Sequence, residues 1–262
     1  MKITVSLLLT LILTAACGND SASTTAGNEP AAATAVREQA LQGPARTDAD
    51  RARDAGRKPA EVLAFFGIEP GMTVLDMFSG GGYYTELVSN VVGPDGEVIA
   101  HTNSAYAQFV GEEATNRYAN NRLPNVEILL AENNELRLPA EVFDAILMVL
   151  SFHDIYYVDP DNGWPALDGP QLIGELYRGL KPGGILGVVD HRAAAGSGSE
   201  SGNTLHRIDP AIAVQALEAA GFVLEAESDV LHNSDDDYSL NKADPAVRGK
   251  TDRFVFRFRK PE

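Results

Sequence analysis

Short apolar runs and segments of helical period alternate through most of this chain. The apolar runs are bounded by Gly, Pro and Asp, which is typical of buried strands. They predict strands at residues 73–77, 97–101, 126–130, 143–151, 185–190, 222–227 and 254–259. Amphipathic segments with capping residues predict helices at residues 48–56, 58–66, 83–92, 104–120, 172–180 and 209–221.

The alternation of strand and helix predicts an α/β fold in which helices cover both faces of a parallel sheet. The run at 143–151 has no charged residue after Asp144, as expected of a strand buried on both faces. No helix is predicted between the last two strands, so we expect them to form an antiparallel hairpin at one edge. The predicted architecture is a doubly wound, mostly parallel, seven-stranded sheet with an antiparallel C-terminal hairpin.

The first 17 residues have the pattern of an export signal. Lys2 precedes an apolar run at residues 3–16, which is shorter than the ~20 residues that a membrane-spanning helix needs. Residues 13–17 resemble a bacterial lipobox ending at Cys17, although Thr14 stands where the motif usually has Leu. An ordinary cleaved signal with an incidental Cys is the alternative. We expect an exported lipoprotein, and the Gly that follows Cys17 favours the periplasmic face of an outer membrane.

Residues 18–46 are rich in Ala, Ser, Thr and Gly. Such a segment buries too little apolar surface to offset its ordering entropy. We therefore predict three parts: a signal peptide and lipobox at residues 1–17, a disordered tether at 18–46, and one folded domain at 47–262.

Charge and cysteine content narrow the range of functions. The 262 residues include 21 basic and 37 acidic side chains, a net charge of −16, which repels phosphate backbones and argues against a nucleic-acid partner. A single Cys excludes an internal disulfide and a four-Cys zinc site. Contact with a membrane is expected only through the lipid on Cys17.

A glycine-rich loop follows the first predicted strand and opens a helix, in the sequence Asp76-Met77-Phe78-Ser79-Gly80-Gly81-Gly82. Glycine there lets the backbone approach a ligand closely. By itself such a loop is compatible with a dinucleotide, an S-adenosyl group or no ligand.

Several motifs together resemble the class I S-adenosylmethionine-dependent methyltransferases, over about residues 58–260. They are residues 69–72, Asp76 with its glycine loop, residues 180–184 before the fifth strand, and the closing hairpin. The chain also resembles a group of secreted bacterial methyltransferase-like proteins, through residues 57–59, 80–85, 152–154, 190–193 and 205–209. The resemblance implies a Rossmann-like fold and S-adenosylmethionine as cofactor.

The resemblance also assigns cofactor-binding positions. Asp76 would hold the loop or the methionine ammonium group, Glu132 and Asn133 fall where the family contacts adenine, and Thr102 occupies the place of the acid that grips the ribose. The loop itself contributes Phe78, Ser79, Gly80 and Gly82. Because Phe78 replaces the first loop glycine and a hydroxyl replaces the ribose carboxylate, we expect weak cofactor affinity.

Histidines and acids cluster at or just after predicted strand ends. In open α/β sheets, ligands bind beyond the carboxyl ends of the strands. We therefore predict one cleft holding four catalytic residues, with His206 as a further candidate: His153, Asp154, Asp190 and His191. A His could serve as general base with an acid fixing its tautomer, or two His and one Asp could bind a metal, or each His could be structural. We assign no metal from the sequence.

The leading interpretation is S-adenosylmethionine-dependent methyl transfer to a small-molecule acceptor. Two alternatives stay open: the same fold used for metal-assisted chemistry by the His/Asp cluster, and a ligand-binding module without catalysis.

The lipid anchor gives a direct prediction. Cys17→Ala removes the thiol that would carry the lipid, so the protein should move from the membrane fraction to the soluble fraction after cell lysis. A protein that remains membrane-bound with an uncleaved N-terminus would contradict the lipobox interpretation.

Overall fold

The computed structural model describes residues 31–262. The predicted export signal, Cys17 and the first part of the predicted tether lie outside the described residues. Across residues 31–262, no helix has the length and apolar character needed to cross a bilayer.

One mixed sheet forms the centre of the fold. Its strands are β1 Thr73–Met77, β2 Glu97–Thr102, β3 Val126–Leu130, β4 Phe143–Val149, β5 Leu180–His191, β6 Val223–Ser228 and β7 Arg253–Arg259. They are ordered β3-β2-β1-β4-β5-β7-β6. The first five are parallel, whereas β7 is antiparallel to both β5 and β6. The predicted seven-stranded α/β fold with an antiparallel C-terminal hairpin is confirmed.

Helices cover both faces of this sheet. They are α1 Ala31–Leu41, α2 Asp48–Arg57, α3 Pro59–Phe66, α4 Tyr83–Val92, α5 Ser104–Val110, α6 Glu112–Tyr118, α7 Gly169–Gly179, α8 Glu200–Leu205 and α9 Pro210–Ala219. The single helix predicted at 104–120 is wrong in one respect: Gly111, at φ 50° and ψ −122°, divides it into α5 and α6. A short helix, α8, also forms where the sequence predicts none.

The two faces of the sheet carry separate apolar cores, because successive side chains of a strand point to opposite faces. Leu75 and Met77 belong to the core that α7 and α9 cover, whereas Val74 belongs to the core under α3 and α4. On this second face, Gly187 of β5 lies so close to Phe66 that a Cβ atom there would be 2.7 Å from its ring. A side chain at position 187 would push α3 off the sheet.

A buried ionic network holds α6 against α2 and α4. The Arg117 guanidinium pairs with Asp50 at 2.9 Å and with Glu86, and its Nε donates to the Gly81 carbonyl at 2.5 Å. Burial opposes ionisation of Asp50, but hydrogen bonds from Arg117 and Thr47 outweigh burial and hold its pKa below the usual range. The network fixes α6 over the glycine loop.

Helix α1 corrects the predicted tether of residues 18–46. Ala40 is 3% exposed and packs in the core beneath α3 and α4, with Val36 and Leu41 against the same core. The Arg37 guanidinium donates to the Ile68 carbonyl at 3.2 Å. The segment from Ala31 to Leu41 is therefore part of the folded domain, because its few apolar residues fall on one helical face.

A pair of neighbouring substitutions tests this packing. Ala40→Asp places a carboxylate in the core, whereas Gln39→Asp adds the same charge at an exposed neighbour on the same helix. We expect Ala40→Asp to lower the free energy of unfolding by at least about 2 kcal/mol, since burying an unpaired polar or charged group is costly. Gln39→Asp should change it by less than about 0.5 kcal/mol. Urea unfolding curves that shift equally for the two variants would contradict the position of α1.

Candidate active site

The candidate site lies where β4 and β5 end side by side. These parallel strands pair up to Val149 and Val189. After β4 the chain turns through Leu150, whose backbone N–H donates to the Val189 carbonyl at 2.7 Å. It then enters a 3₁₀ turn, Phe152–Tyr156. This register brings His153 next to the last residues of β5.

A buried pair of hydrogen-bonding groups joins His153 to Asp190. Both side chains are fully buried. The Nδ1 atom of the imidazole lies 2.8 Å from Oδ1 of the carboxylate, and the backbone N–H of His153 donates to Oδ2 at 2.6 Å. Because a carboxylate accepts hydrogen bonds, Nδ1 carries a proton, and in the neutral form of the ring the lone pair lies on Nε2.

Asp154 is the second carboxylate of the site. Its Oδ1 lies 3.2 Å from Nε2 of His153, an atom without a hydrogen bond, and its Oδ2 accepts from the Tyr106 hydroxyl at 2.5 Å. Burial raises the pKa of this carboxyl, but His153, His206, Lys242 and Tyr106 outweigh burial and hold the pKa at about 2. Asp154 is therefore ionised at neutral pH. Burial and the neighbouring Asp154 charge raise the pKa of Tyr106 well above 10.

His206 joins the cluster from α8. It follows the helix in the left-handed conformation, at φ 50°. Its Nδ1 atom lies 3.8 Å from Asp154 Oδ1, and its ring packs on Tyr157 with 4.6 Å between centroids. The next residue, Arg207, is fully buried and makes two hydrogen bonds to Asp236. This anchor holds the left-handed turn and hence the His206 ring.

His191 lies beside His153, with 5.9 Å between ring centroids. Its Nδ1 atom is 2.6 Å from the Thr251 hydroxyl. Burial, followed by the positive charge of Lys242 and by His153, holds the pKa of His191 well below 6.5. His191 is thus neutral at physiological pH and has little affinity for a proton, which favours a positioning role over that of a general base.

Asp76 stabilises the glycine loop from the buried side. This carboxyl is buried and accepts a hydrogen bond from the Thr85 hydroxyl at 2.6 Å. Burial raises its pKa to about 6, although the hydrogen bonds from Thr85 lower it. Asp76 therefore supports the first turn of α4 from within the protein, by contacts to Thr85. Ser79 donates from both its backbone and its side chain to the His101 carbonyl.

Side chains of α6 cover two of the three glycines. A Cβ atom at Gly82 would lie 2.4 Å from the Tyr118 hydroxyl, and one at Gly81 would lie 2.4 Å from the Glu113 carboxyl carbon. At Gly80, the nearest atom would be a Val110 methyl group at 4.0 Å. The open part of the loop is therefore Gly80.

Phe78 occupies the place of the first loop glycine and adopts φ 56°. Its ring stacks on Tyr106 and packs on Trp164, each with 5.8 Å between centroids. Trp164 in turn donates from its indole nitrogen to the Asp154 carbonyl at 3.2 Å. This aromatic cluster, Phe78–Tyr106–Trp164, separates the glycine loop from the His153 site.

The remaining predicted cofactor residues lie at the ends of β2 and β3. The Thr102 hydroxyl donates to the Asn103 carbonyl at 3.3 Å. Glu132 accepts from the backbone and the hydroxyl of Ser104 and so caps α5. Asn133 is buried, and its Oδ1 atom has no hydrogen-bond partner.

Sequence reasoning missed Tyr106, Thr251 and Lys242. Tyr106 and Asp154 are 48 residues apart, and His191 and Thr251 are 60 apart, with no motif linking them. Two surface grooves lie at the opposite, amino-terminal edge of the sheet, near residues 70–71 and 90–97. The polar groups that can do chemistry converge at the carboxyl edge instead.

Comparisons with known proteins agree with this fold. A family profile described as a methyltransferase domain matches residues 75–188. Sterol 24-C-methyltransferase of Yarrowia lipolytica is 28% identical over 201 residues, 68% of this chain and 46% of that protein. Demethylmenaquinone methyltransferase of Listeria monocytogenes is 28% identical over 130 residues, 50% of this chain and 49% of that protein. The chain thus spans about half the length of these curated relatives.

A solved structure gives the same assignment over a larger share of the chain. It is an S-adenosylmethionine-dependent methyltransferase from Aquifex aeolicus, with a TM-score of 0.54 and 25% identity, covering 77% of this chain and 89% of that one. The strand order, the antiparallel β7 and the matched domain agree with each other. The match to a methyltransferase domain at residues 75–188 and the shared fold together support placing this chain with the class I S-adenosylmethionine-dependent methyltransferases.

Proposed function

We propose that this protein transfers the methyl group of S-adenosylmethionine to a small-molecule acceptor, with His153 as general base. The observation that carries the proposal is the Nε2 atom of His153, which lacks a hydrogen bond at the carboxyl ends of β4 and β5. Its relatives named above act on a sterol and on demethylmenaquinone, which are small molecules, and this supports the acceptor class.

The cofactor fits the hydrogen-bonding capacity of the sheet edge. Three buried polar atoms without partners follow or end β2, β3 and β4: His101 Nδ1, Asn133 Oδ1 and Ser151 Oγ. Buried polar atoms usually have partners, so these three are suited to the polar edge of an adenosine group. Gly80 leaves room for the methionine part.

The aromatic cluster Phe78–Tyr106–Trp164 limits the space for the cofactor beside Gly80. The ring of Phe78 and the side chain of Tyr106 pack together over the end of β2, so cofactor binding requires Tyr106 to move. Helix α5, which carries Tyr106, is followed by Gly111. Movement of α5 would break the hydrogen bond from Tyr106 to Asp154, and this cost agrees with weak cofactor affinity.

When bound, S-adenosylmethionine supplies an electrophilic methyl group. The side chains of the protein remove a proton from the acceptor. His153 Nε2 accepts the proton of an acceptor hydroxyl or amine, and the imidazolium that forms is stabilised by Asp190 at 2.8 Å. Asp154, ionised on the other side of the ring, adds to this stabilisation. Tyr157 offers apolar surface beside the acceptor.

We also propose that the protein works outside the cytoplasm, anchored by lipid on Cys17. The basic start, the apolar run and the small residues before the Cys support this location. S-adenosylmethionine is made in the cytosol, so weak affinity would leave an exported enzyme sensitive to how much cofactor reaches it.

The cofactor position predicts the effect of restoring the family residue at the end of β2. Thr102→Asp supplies a carboxylate for the ribose hydroxyls, and charged hydrogen bonds contribute about 1.5–3 kcal/mol. We expect S-adenosylmethionine affinity to rise about tenfold or more by calorimetry. Thr102→Asn is the matched control, of similar size but neutral, and should gain much less. Unchanged or weaker binding in a folded Thr102→Asp protein would place the ribose elsewhere.

The general base is tested by His153→Ala. Loss of a general base typically lowers the rate about 10²–10⁴-fold. We expect this loss in the transfer of radiolabelled methyl groups to a bacterial small-molecule extract, with cofactor affinity nearly unchanged. His232→Ala removes a half-exposed imidazole outside the site and should retain activity. Full turnover in His153→Ala would exclude this residue as the base.

A further inference from the structure

Two imidazole nitrogens in the cleft have no hydrogen-bond partner. They are Nε2 of the fully buried His153 and Nδ1 of His206. A buried imidazole nitrogen without a partner is unusual, because burial removes its hydrogen bond to water. Each nitrogen faces the same oxygen, Asp154 Oδ1, at 3.2 Å and 3.8 Å.

The three atoms have the spacing of a metal-ligand set. One ligand atom from each of His153, Asp154 and His206 lies within 4.8 Å of the others. Ligands about 2.0–2.1 Å from a tetrahedral ion are about 3.3 Å from one another. The distance of 3.2 Å between His153 Nε2 and Asp154 Oδ1 is already close to this value. A small rotation of the more exposed His206 ring would bring its Nδ1 atom to the same distance from Asp154 Oδ1.

Both buried ligand side chains are oriented by a second group. Asp190 accepts at Nδ1 of His153, which leaves Nε2 as the coordinating atom. Tyr106 donates to Oδ2 of Asp154 and leaves Oδ1 free. Metal-binding His and carboxylate side chains are commonly held in this way by outer contacts, which fix the tautomer and the ring orientation.

We propose that His153 Nε2, Asp154 Oδ1 and His206 Nδ1 form a binding site for a divalent transition-metal ion. Two imidazoles and one carboxylate suit Zn²⁺ or Fe²⁺ rather than Mg²⁺ or Ca²⁺, which prefer oxygen ligands. The His206 side chain is 26% exposed, so the fourth position faces the open side of the cleft.

The site shares His153 with the proposed methyl transfer but does not depend on it, because metal binding needs no cofactor. The lone pair on Nε2 serves one role at a time. With an ion bound, His153 is a ligand, and the metal would act as a Lewis acid that polarises an acceptor oxygen at the fourth position.

The test is a titration of the metal-free full chain with Zn²⁺ by calorimetry, and with Co²⁺ by visible absorption. We expect one ion per chain and a Co²⁺ spectrum typical of a four- or five-coordinate site. Asp154→Asn and His206→Gln each remove one ligand and should weaken Zn²⁺ binding at least about 100-fold. Tyr106→Phe removes only the outer contact and should weaken it about 10–100-fold.

His232→Gln is the matched control, since it removes a His from outside the cluster, and its Zn²⁺ affinity should equal that of the unsubstituted protein. Absence of stoichiometric Zn²⁺ binding would overturn the proposal, as would equal affinities in His206→Gln and His232→Gln. Because no step of this test uses S-adenosylmethionine, failure of the metal site leaves the methyl-transfer proposal standing, and failure of cofactor binding leaves the metal site standing.

Discussion

The cleft depends on one buried anion, the carboxylate of Asp190. It accepts hydrogen bonds from the backbone N–H groups of His153 and His191 and from the His153 ring. A fully buried carboxylate is tolerable only when donors of this kind surround it. One side chain therefore joins the turn after β4 to the end of β5 and orients the imidazole between them. The parallel pairing of these two strands makes the arrangement possible, because it brings both chain ends to one edge.

Tyr106 links the glycine-loop side of the cleft to the side that holds His153 and Asp154. On one side its ring stacks on Phe78 in the space over the glycine loop, and on the other its hydroxyl donates to Asp154. If Tyr106 moves to admit a cofactor, Asp154 loses this donor and its second oxygen becomes free. Occupancy of the cofactor side and the hydrogen bonding of Asp154 are thus linked, and the linkage acts equally in both directions.

The seven strands could be predicted because most of them are short apolar runs between turn residues, and the parallel arrangement of the sheet followed from the strand–helix alternation. The division of 104–120 was missed because Gly111 lies within an otherwise helical pattern. Helix α1 was assigned to a tether because its composition is Ala-rich, yet Val36, Ala40 and Leu41 share one face. Composition alone does not report how such a face packs.

In the site, residues at strand ends could be predicted, because the fold brings those ends together. Contacts from distant parts of the chain could not: Tyr106 reaches Asp154 from α5, and Thr251 reaches His191 from the segment just before β7. His206 was placed only as a candidate, since its position depends on the left-handed turn that Arg207 and Asp236 hold.

The atoms that lack partners also indicate where the fold departs from maximum stability. His153 Nε2, His206 Nδ1, Asn133 Oδ1 and Ser151 Oγ are all buried at the carboxyl edge of the sheet. Each costs free energy unless a ligand completes it. Simple apolar substitutions would remove this cost, but they would also remove the groups that can hold a proton, a metal ion or an adenosine. Their grouping at the strand ends agrees with a binding cleft there, whereas Arg53 Nε and Arg257 Nε, which also lack partners, lie on α2 and β7 away from this group.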